Sequence, residues 1–420
     1  MSQLAGLIGA TILAFAVACA PVNSESTTRA IGVERPLEPA AATAETATVE
    51  TATVETATVE TATVENATVE NATVAEVPTS RERRSFTMAF TGDLLLHNRV
   101  NASAAANAAD DEFREYDYES LLAPIAPLIA EVDWAVCHLE VNLSADNTRL
   151  HPYPVFRAPG DLAYDMRRVG YDSCSTASNH VLDHGADGVA ETLGVLDDAG
   201  LGHTGSARDP EERFDGIWIE PDGVKVAHLS YSYGFNGFSV PSDMPWLANR
   251  IDEEQILDDA DRARREGAEY VVLSLHWGEQ YQHTPNRQQR ELGPRLLASP
   301  DIDLVIGHHA HTVQPIDRIN GEWLVYGLGN LLSASTQAAR RDELLVQVTV
   351  DETADGTFST ELRAIPLHLD PVTLTVHRSD PQVRPAGIDP RLAAALDAGW
   401  TRVTTVLESG SGWSELDLGS

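Results

Sequence analysis

Positive charge is what this 420-residue chain lacks most: 29 Lys and Arg stand against 64 Asp and Glu, for a formal charge of −35. So acidic a chain repels phosphate backbones and anionic headgroups, which argues against nucleic acid as a partner and against lipid held by charge. The same excess is also a habit of salt-tolerant proteomes, and in that case it carries no function. Cysteine is scarce, with three positions. Cys137 and Cys174 fall inside predicted strands, where a free cysteine is a small buried hydrophobe. A disulfide between them is compatible with export but is not implied by their spacing, and neither is placed like a nucleophile. Long apolar runs are missing apart from Leu4 to Ala18, too short for a comfortable membrane span but suited to the core of a signal peptide.

That leader ends Ala16-Val17-Ala18-Cys19, small residues before a cysteine, which resembles a bacterial lipobox. Export is therefore expected, with 1–19 as signal peptide. Cys19 would be the lipidated first residue of a protein anchored on the outer face of the cytoplasmic membrane. No Lys or Arg precedes the apolar run, and Ala16 stands where Leu is usual. The alternative is an ordinary secretory signal cleaved after Ala18 or Ala20, releasing a secreted protein. From Thr46 the unit TATVE repeats, then NATVE and NATVA follow, with no aromatic residue and a Glu in nearly every unit. A five-residue period fits neither helix nor strand, so 20–83 reads as a disordered, self-repelling acidic linker. A flexible chain of that length reaches about 40–45 Å. Any membrane contact would run through this N-terminal anchor alone.

Beyond Arg84 the pattern changes to short apolar runs, each stopping on a metal-ligand type or an Asn/His cluster. They are SFTMAFTGD (to Asp93), WAVCHLE (to Glu140), DSCSTASNH (to Asn179 and His180), YVVLSLHWG (with His276), DLVIGHHAH (with His308, His309 and His311) and WLVYGLGN (to Asn330). Each reads as a buried strand. Helical stretches alternate with them at 121–132, 161–170, 187–200, 253–267 and 287–299. This alternation predicts an α/β protein with helices on the sheet faces, and sites form beyond the carboxyl ends of such strands. Two carboxylates, an amide and at least three imidazoles would then meet at one edge, a mixed N/O set that one or two divalent cations require. A domain over 84–345, strands over 346–390 completing it, a helix over 390–408 and a frayed last dozen residues (391–420 forming the terminal helix and tail) are expected.

The ordered motifs TGDLLLH (91–97), LEVNLS (139–144), ASNHVLDHG (177–185), SLHWGEQY (274–281), GHHAHTVQP (307–315) and YGLGN (326–330) resemble the CapA family of poly-γ-glutamate capsule synthesis. That family is a branch of the calcineurin-like metallophosphoesterases. The resemblance implies a four-layer α/β/β/α sandwich with a metal site at the sheet edge. It implies Asp93, Glu140, Asn179, His276, His309 and His311 as metal ligands, with Glu140 in the bridging position. The cofactor would be a divalent metal, two ions of Mn, Fe or Zn. His180 would protonate the leaving oxygen as the catalytic residue, and Asp183 would fix the loop after it. Superfamily phosphatases carry a histidine two residues after the first Asp, where this chain has Leu95, and His97 is the nearest substitute. Strand alternation puts His138 on the side of Glu140 as a supporting partner or a satisfied core histidine. His308 is expected to support the ligands, and His203 could approach the site from another strand end. Trp277, Tyr281 and Arg287 line a substrate cleft or serve as packing.

Three functions follow from the resemblance. The first is a hydrolase acting on a phosphoester or anionic polymer during capsule synthesis, export or attachment. The second is a non-catalytic accessory subunit of a membrane polyglutamate synthase. The third is an extracytoplasmic phosphoesterase unrelated to capsule.

Overall fold

The computed structural model describes residues 83–215 and 217–419. The expected signal peptide over 1–19, Cys19 and the repeat segment through residue 82 lie outside the described residues. In chain order the strands begin with β1 (Ser85–Leu94), β2 (Trp134–Leu139), β3 (Asn142–Ser144), β4 (Arg157–Pro159), β5 (Ser173–Ser175) and β6 (Gly202–Thr204). They continue with β7 (Ile217–Ile219), β8 (Val226–Ser232), β9 (Tyr270–His276), β10 (Leu304–His308), β11 (Ile316–Ile319) and β12 (Glu322–Val325). β13 (Asn330–Leu332), β14 (Asp342–Glu352), β15 (Phe358–Leu369) and β16 (Val376–Arg378) follow. One sheet is ordered β16-β15-β14-β1-β2-β5-β6, with β13 also on β1; the second is β11-β12-β10-β9-β8-β7; β3 and β4 pair separately.

Each sheet has a parallel centre, β1-β2-β5-β6 in one and β12-β10-β9-β8 in the other. Period-two alternation then sorts side chains into layers. Phe86, Met88 and Phe90, Trp134 and Val136, Tyr270 and Val272, and Leu304 and Ile306 meet in one core between the two sheets. On the far side of the first sheet, Ala135 and Cys137 join Leu162 and Met166 of helix Asp161–Val169 and Leu193 and Leu196 of helix Gly185–Ala199. On the far side of the second, Leu273, Leu275 and Val305 join Ile256 and Ala260 of helix Glu253–Arg265 and Leu292 and Leu296 of helix Arg287–Leu296. The result is the α/β/β/α sandwich the sequence suggested.

Several local expectations are corrected. The helix expected over 121–132 is two short ones, Glu119–Leu122 and Ala126–Ala130. Pro124 lacks an N–H and so cannot continue the hydrogen-bond ladder, although Ala123 before it keeps helical dihedrals, while Pro127 is tolerated in the first turn of the second helix. A helix at Asn98–Asn107 had no signature because only Val100 and Ala104 are buried along it. The tail is not frayed: Trp413, Leu416 and Leu418 pack on the inter-sheet core, and Asp417 accepts from the Ala364 N–H at 2.7 Å. The division drawn at 345/346 falls inside β14, which is continuously paired with β1 and β15. Cys137 and Cys174 are register partners on β2 and β5 and form a disulfide. No helix among the described residues is long and apolar enough to cross a membrane.

Candidate metal centre

Asp93 reaches the site through an irregularity in β1. Alternation from Phe86 to Phe90 would aim residue 93 at the helices, but the register shifts between Phe90 and Asp93. Such a shift flips the parity of every later residue. Asp93 therefore stands beside His138 of β2 and faces the inter-sheet side. The preceding Gly92 is needed because a Cβ there would lie 2.3 Å from the Gly329 oxygen, the acceptor of the Asp93 N–H. Gly307, ahead of the histidine run, is equally constrained: its Cβ would be 2.0 Å from the Tyr326 oxygen. Past β10 the chain leaves the pleat, with His309 at φ 83° and His311 at φ 53°. Left-handed backbone at non-glycine residues costs roughly 1–3 kcal/mol each and persists where the surroundings impose it. Here it turns both imidazoles toward the sheet edge.

Two ligand groupings result, Asp93 with Glu140 and His311, and Glu140 with His276 and His309, the donor atoms in each lying within 4.8 Å of one another. Glu140 belongs to both, as a bridging carboxylate must. Asp93 Oδ2 is 3.1 Å from His311 Nδ1, and Glu140 Oε1 is 3.8 Å from His311 Nε2 and 3.9 Å from His276 Nε2. Asn179 Oδ1 is 3.0 Å from the same His276 nitrogen. A third grouping would join Asp93, His138 and His276. The His138 nitrogens are already engaged, Nδ1 by Ser175 Oγ at 2.7 Å and Nε2 by His276 Nδ1 at 2.9 Å. His138 thus orients His276, leaving its Nε2 for the site.

Burial dominates the electrostatics. Asp93 and Glu140 are 0% and 1% exposed, and among the described residues no Arg or Lys pairs with either. Burial works to lift Asp93, but the rings of His308 and His311 hold it well below the carboxylate range. Burial pushes Glu140 up to about 7, against the pull of His311. His309 is lowered to about 3 by burial and by His311, and burial takes His276 well below its ordinary value, so both rings are neutral, the ligand form. His311 differs: burial opposes its proton, yet Glu140 and Asp93 raise it to about 9. His311 would therefore give up this proton to serve as a ligand, so cation binding there is linked to proton release. Both Glu140 oxygens and His309 Nδ1 have no hydrogen-bond partner among the described residues. Uncompensated buried acceptors are costly, and a cation among them would satisfy each. The donor set fits divalent metal binding.

Around these ligands, His180 gives its Nδ1 to Asp183 Oδ2 at 2.7 Å, and Asp183 also accepts the Phe156 N–H at 2.6 Å. Phe156 lies edge-on to the His180 ring at 4.8 Å, so the imidazole is held on two sides. His308 stacks on His138 at 3.9 Å with Nδ1 3.5 Å from Asp93, a supporting place. No ligand grouping among the described residues includes His97, the nearest substitute for the ligand missing at Leu95; its Nδ1 lies 3.0 Å from the Leu95 carbonyl, just ahead of the helix that starts at Asn98, and makes no capping bond to it. His203 is not at the site. It sits on edge strand β6 and pairs with Asp197 at 3.1 Å, in a cleft it shares with Trp134 and Asp172. Trp277 is packing, Arg287 is exposed and paired to Glu291, and Tyr281 is 43% exposed beside His311.

Residues outside the expected ligand set complete the centre. Asn330 Oδ1 is 2.9 Å from His311 Nδ1, Asn236 lies 3.3 Å from Asn179 and 3.4 Å from His180, and Tyr233 packs 4.5 Å from the His309 ring. Asn330 ends the last of the six apolar runs, although its Gly-Asn pair alone assigned it no role, and Asn236 reaches the site only through the loop after β8.

The family model of the bacterial capsule synthesis protein PGA_cap matches residues 87–335. The PGA biosynthesis protein CapA of Bacillus subtilis is 29% identical over 291 residues, covering 66% of this chain and 71% of that protein. A probable polyglutamine synthesis accessory protein of Mycobacterium tuberculosis is 24% identical over 258 residues, 58% of this chain and 67% of the relative. Among solved structures, the calcineurin-like phosphoesterase YfkN of Bacillus subtilis aligns at TM-score 0.41 and 14% identity, covering 77% of this chain and 98% of that one. A 5'-nucleotidase precursor of Thermus thermophilus aligns at TM-score 0.40 and 16% identity, over 77% of this chain and 59% of its own length. The four-layer assignment rests on the sheet order and the buried cores rather than on these two alignments. With a match over residues 87–335 and the motif residues gathered at one sheet edge, the chain belongs to the bacterial capsule synthesis protein family PGA_cap.

Proposed function

We propose that this protein is an exported, metal-dependent hydrolase of poly-γ-glutamate capsule biosynthesis, acting on a phosphoester or polymer linkage. The observation that carries this reading is Glu140, a buried carboxylate with two unpartnered oxygens, common to both ligand groupings. Asp93, Glu140 and His311 would hold one cation, and Glu140, Asn179, His276 and His309 the other. When bound, a divalent pair supplies Lewis-acid polarisation of a substrate oxygen and a lowered pKa for water. The chain supplies the rest. Asp183 accepts the Nδ1 proton of His180, which leaves Nε2 to carry a proton to the leaving oxygen. Asn236 links His180 to Asn179, tying the acid to the ligand set. A cleft of about 1050 Å³ bordered by Tyr233, Asn236, Trp246 and Arg250 opens beside these residues and offers room for an extended chain. The leader sequence supports export, with attachment through Cys19 and the repeat segment as a spacer.

The mycobacterial relative, a probable accessory protein of polyglutamine synthesis, favours a second reading, an accessory subunit that binds a membrane polyglutamate synthase without turning over substrate. Elemental analysis of the full chain, wild type against Asp93→Ala and His309→Ala, with phosphodiesterase activity measured on the same samples, separates the two. Metal and turnover lost together support the hydrolase. Metal without turnover favours the accessory role, and absence of metal from the wild type overturns the site itself.

A further inference from the structure

A second, smaller cleft of about 240 Å³ opens against His311 and is lined by Leu95, Tyr281, His311, Asn330, Ser333 and Arg340 among its residues. Two of its groups are chemically unspent. Arg340 makes no ion pair and no side-chain hydrogen bond among the described residues, in a chain where acids outnumber bases by 64 to 29. Its guanidinium instead lies 3.3 Å from the centre of the Tyr281 ring. Stacking of this kind orients the planar group while leaving its N–H edge free, the form in which arginine takes a carboxylate or phosphate in a bidentate pair. Ser333 is 2% exposed, and its Oγ has no hydrogen-bond partner among the described residues. A buried hydroxyl without a partner costs free energy unless a ligand completes it.

The cleft is also wired to the metal centre. Asn330 receives the His311 ring at 2.9 Å through Oδ1 and donates through Nδ2 to the Arg340 carbonyl at 3.1 Å. One side chain therefore sets both the imidazole and the backbone that carries the guanidinium. The neighbouring Arg341 donates to the Thr336 carbonyl at 3.0 Å, which closes the 336–341 turn on itself. Tyr281 is held from the other side by its N–H to the Ala310 carbonyl at 2.7 Å, between His309 and His311.

We propose that Arg340, stacked on Tyr281, and Ser333 form a pocket for an anionic oxygen group of the substrate, a phosphate or a carboxylate, positioned beside His311. This deepens the hydrolase reading and rests on it for the word substrate, but the pocket itself is testable without turnover. The full chain is titrated calorimetrically with inorganic phosphate and, separately, with glutarate. Wild type, Arg340→Gln, Arg340→Lys, Ser333→Ala and Asp93→Ala are compared, and bound metal is measured on each. Saturable binding by the wild type is expected. It should weaken about tenfold or more in Arg340→Gln, less in Arg340→Lys and about threefold in Ser333→Ala, with metal content unchanged in these three. The anion that binds more tightly names the group as phosphoryl or carboxylate. No saturable binding of either anion to the wild type, or equal affinity in Arg340→Gln, overturns the pocket. Arg340-dependent binding in a protein that holds no metal would leave the pocket standing and remove the hydrolase reading instead. Metal loss in Asp93→Ala beside binding indifferent to Arg340 would do the reverse.

Discussion

Glu343 gives the sharpest test of how the site is supported. This β14 residue is 1% exposed; Oε1 accepts the Gly92 N–H at 2.9 Å, and Oε2 has no hydrogen-bond partner among the described residues. Burial, against the Gly92 bond and with Asp93 nearby, pushes its carboxyl from an ordinary 4.5 up to about 8. The folded value lies above the unfolded one, so the protonated group's contribution is complete below pH 4.5 and is withdrawn as pH rises through about 8. At about 1.36 kcal/mol per pH unit, that interval is worth on the order of 4–5 kcal/mol. Glu343→Gln keeps an oxygen for Gly92 and cannot ionise. In urea denaturation of the full chain with chelator present, the variant should gain on the wild type by about 4 kcal/mol between pH 5 and pH 9. A difference that stays within about 1 kcal/mol over that range would refute the assignment of Glu343 as a neutral buried acid.

Other outcomes follow from individual contacts. Asp183→Asn should lower turnover by about 10²–10⁴-fold with metal content intact, because His180 loses the acceptor that sets its tautomer; activity within a few fold of wild type would remove His180 from the proton's path. Gly307→Ala should destabilise the fold by about 3 kcal/mol or more, since its Cβ would meet the Tyr326 carbonyl, and a urea midpoint near the wild type's would contradict that close approach. His138→Phe should keep the stack on His308 but free the His276 ring, reducing metal affinity about 10–100-fold by competition with a chelating dye; unchanged affinity would leave His138 a mere core residue. Thiol titration of the unreduced, denatured chain should find neither Cys137 nor Cys174 reactive, and two extra thiols would show the pair to be free.

Asp93, Glu140, Asn179, His180, His276, His309 and His311 were readable from the chain because each ends a short apolar run, and parallel strands deliver their carboxyl ends to one edge whatever the order of the sheet. Period-two burial made the strands legible for the same reason, and the helices that showed an amphipathic stripe were placed to within a few residues. Where a segment buries only two alanine-sized or branched side chains, as Asn98–Asn107 does, local pattern carries no signal and the helix depends on its neighbours. His203 was misplaced because a strand-end histidine looks alike on a central and an edge strand, and only the strand order, β6 outermost, separates them.

What the sequence alone determined, then, is the inventory and its periodicity: an apolar N-terminal run and an acidic repeat segment, followed by an α/β pattern with a metal-type donor at the ends of its main strands. What only the tertiary structure decided are the relations that local chemistry does not encode. The shift in β1 that turns Asp93 inward depends on the Gly329 carbonyl, more than 200 residues downstream. The choice between His138 as ligand and His138 as the partner of His276 depends on a contact across the two sheets. Arg340 meets Tyr281 beside His311 for the same reason: long-range packing, not spacing along the chain, sets which side chains share a volume.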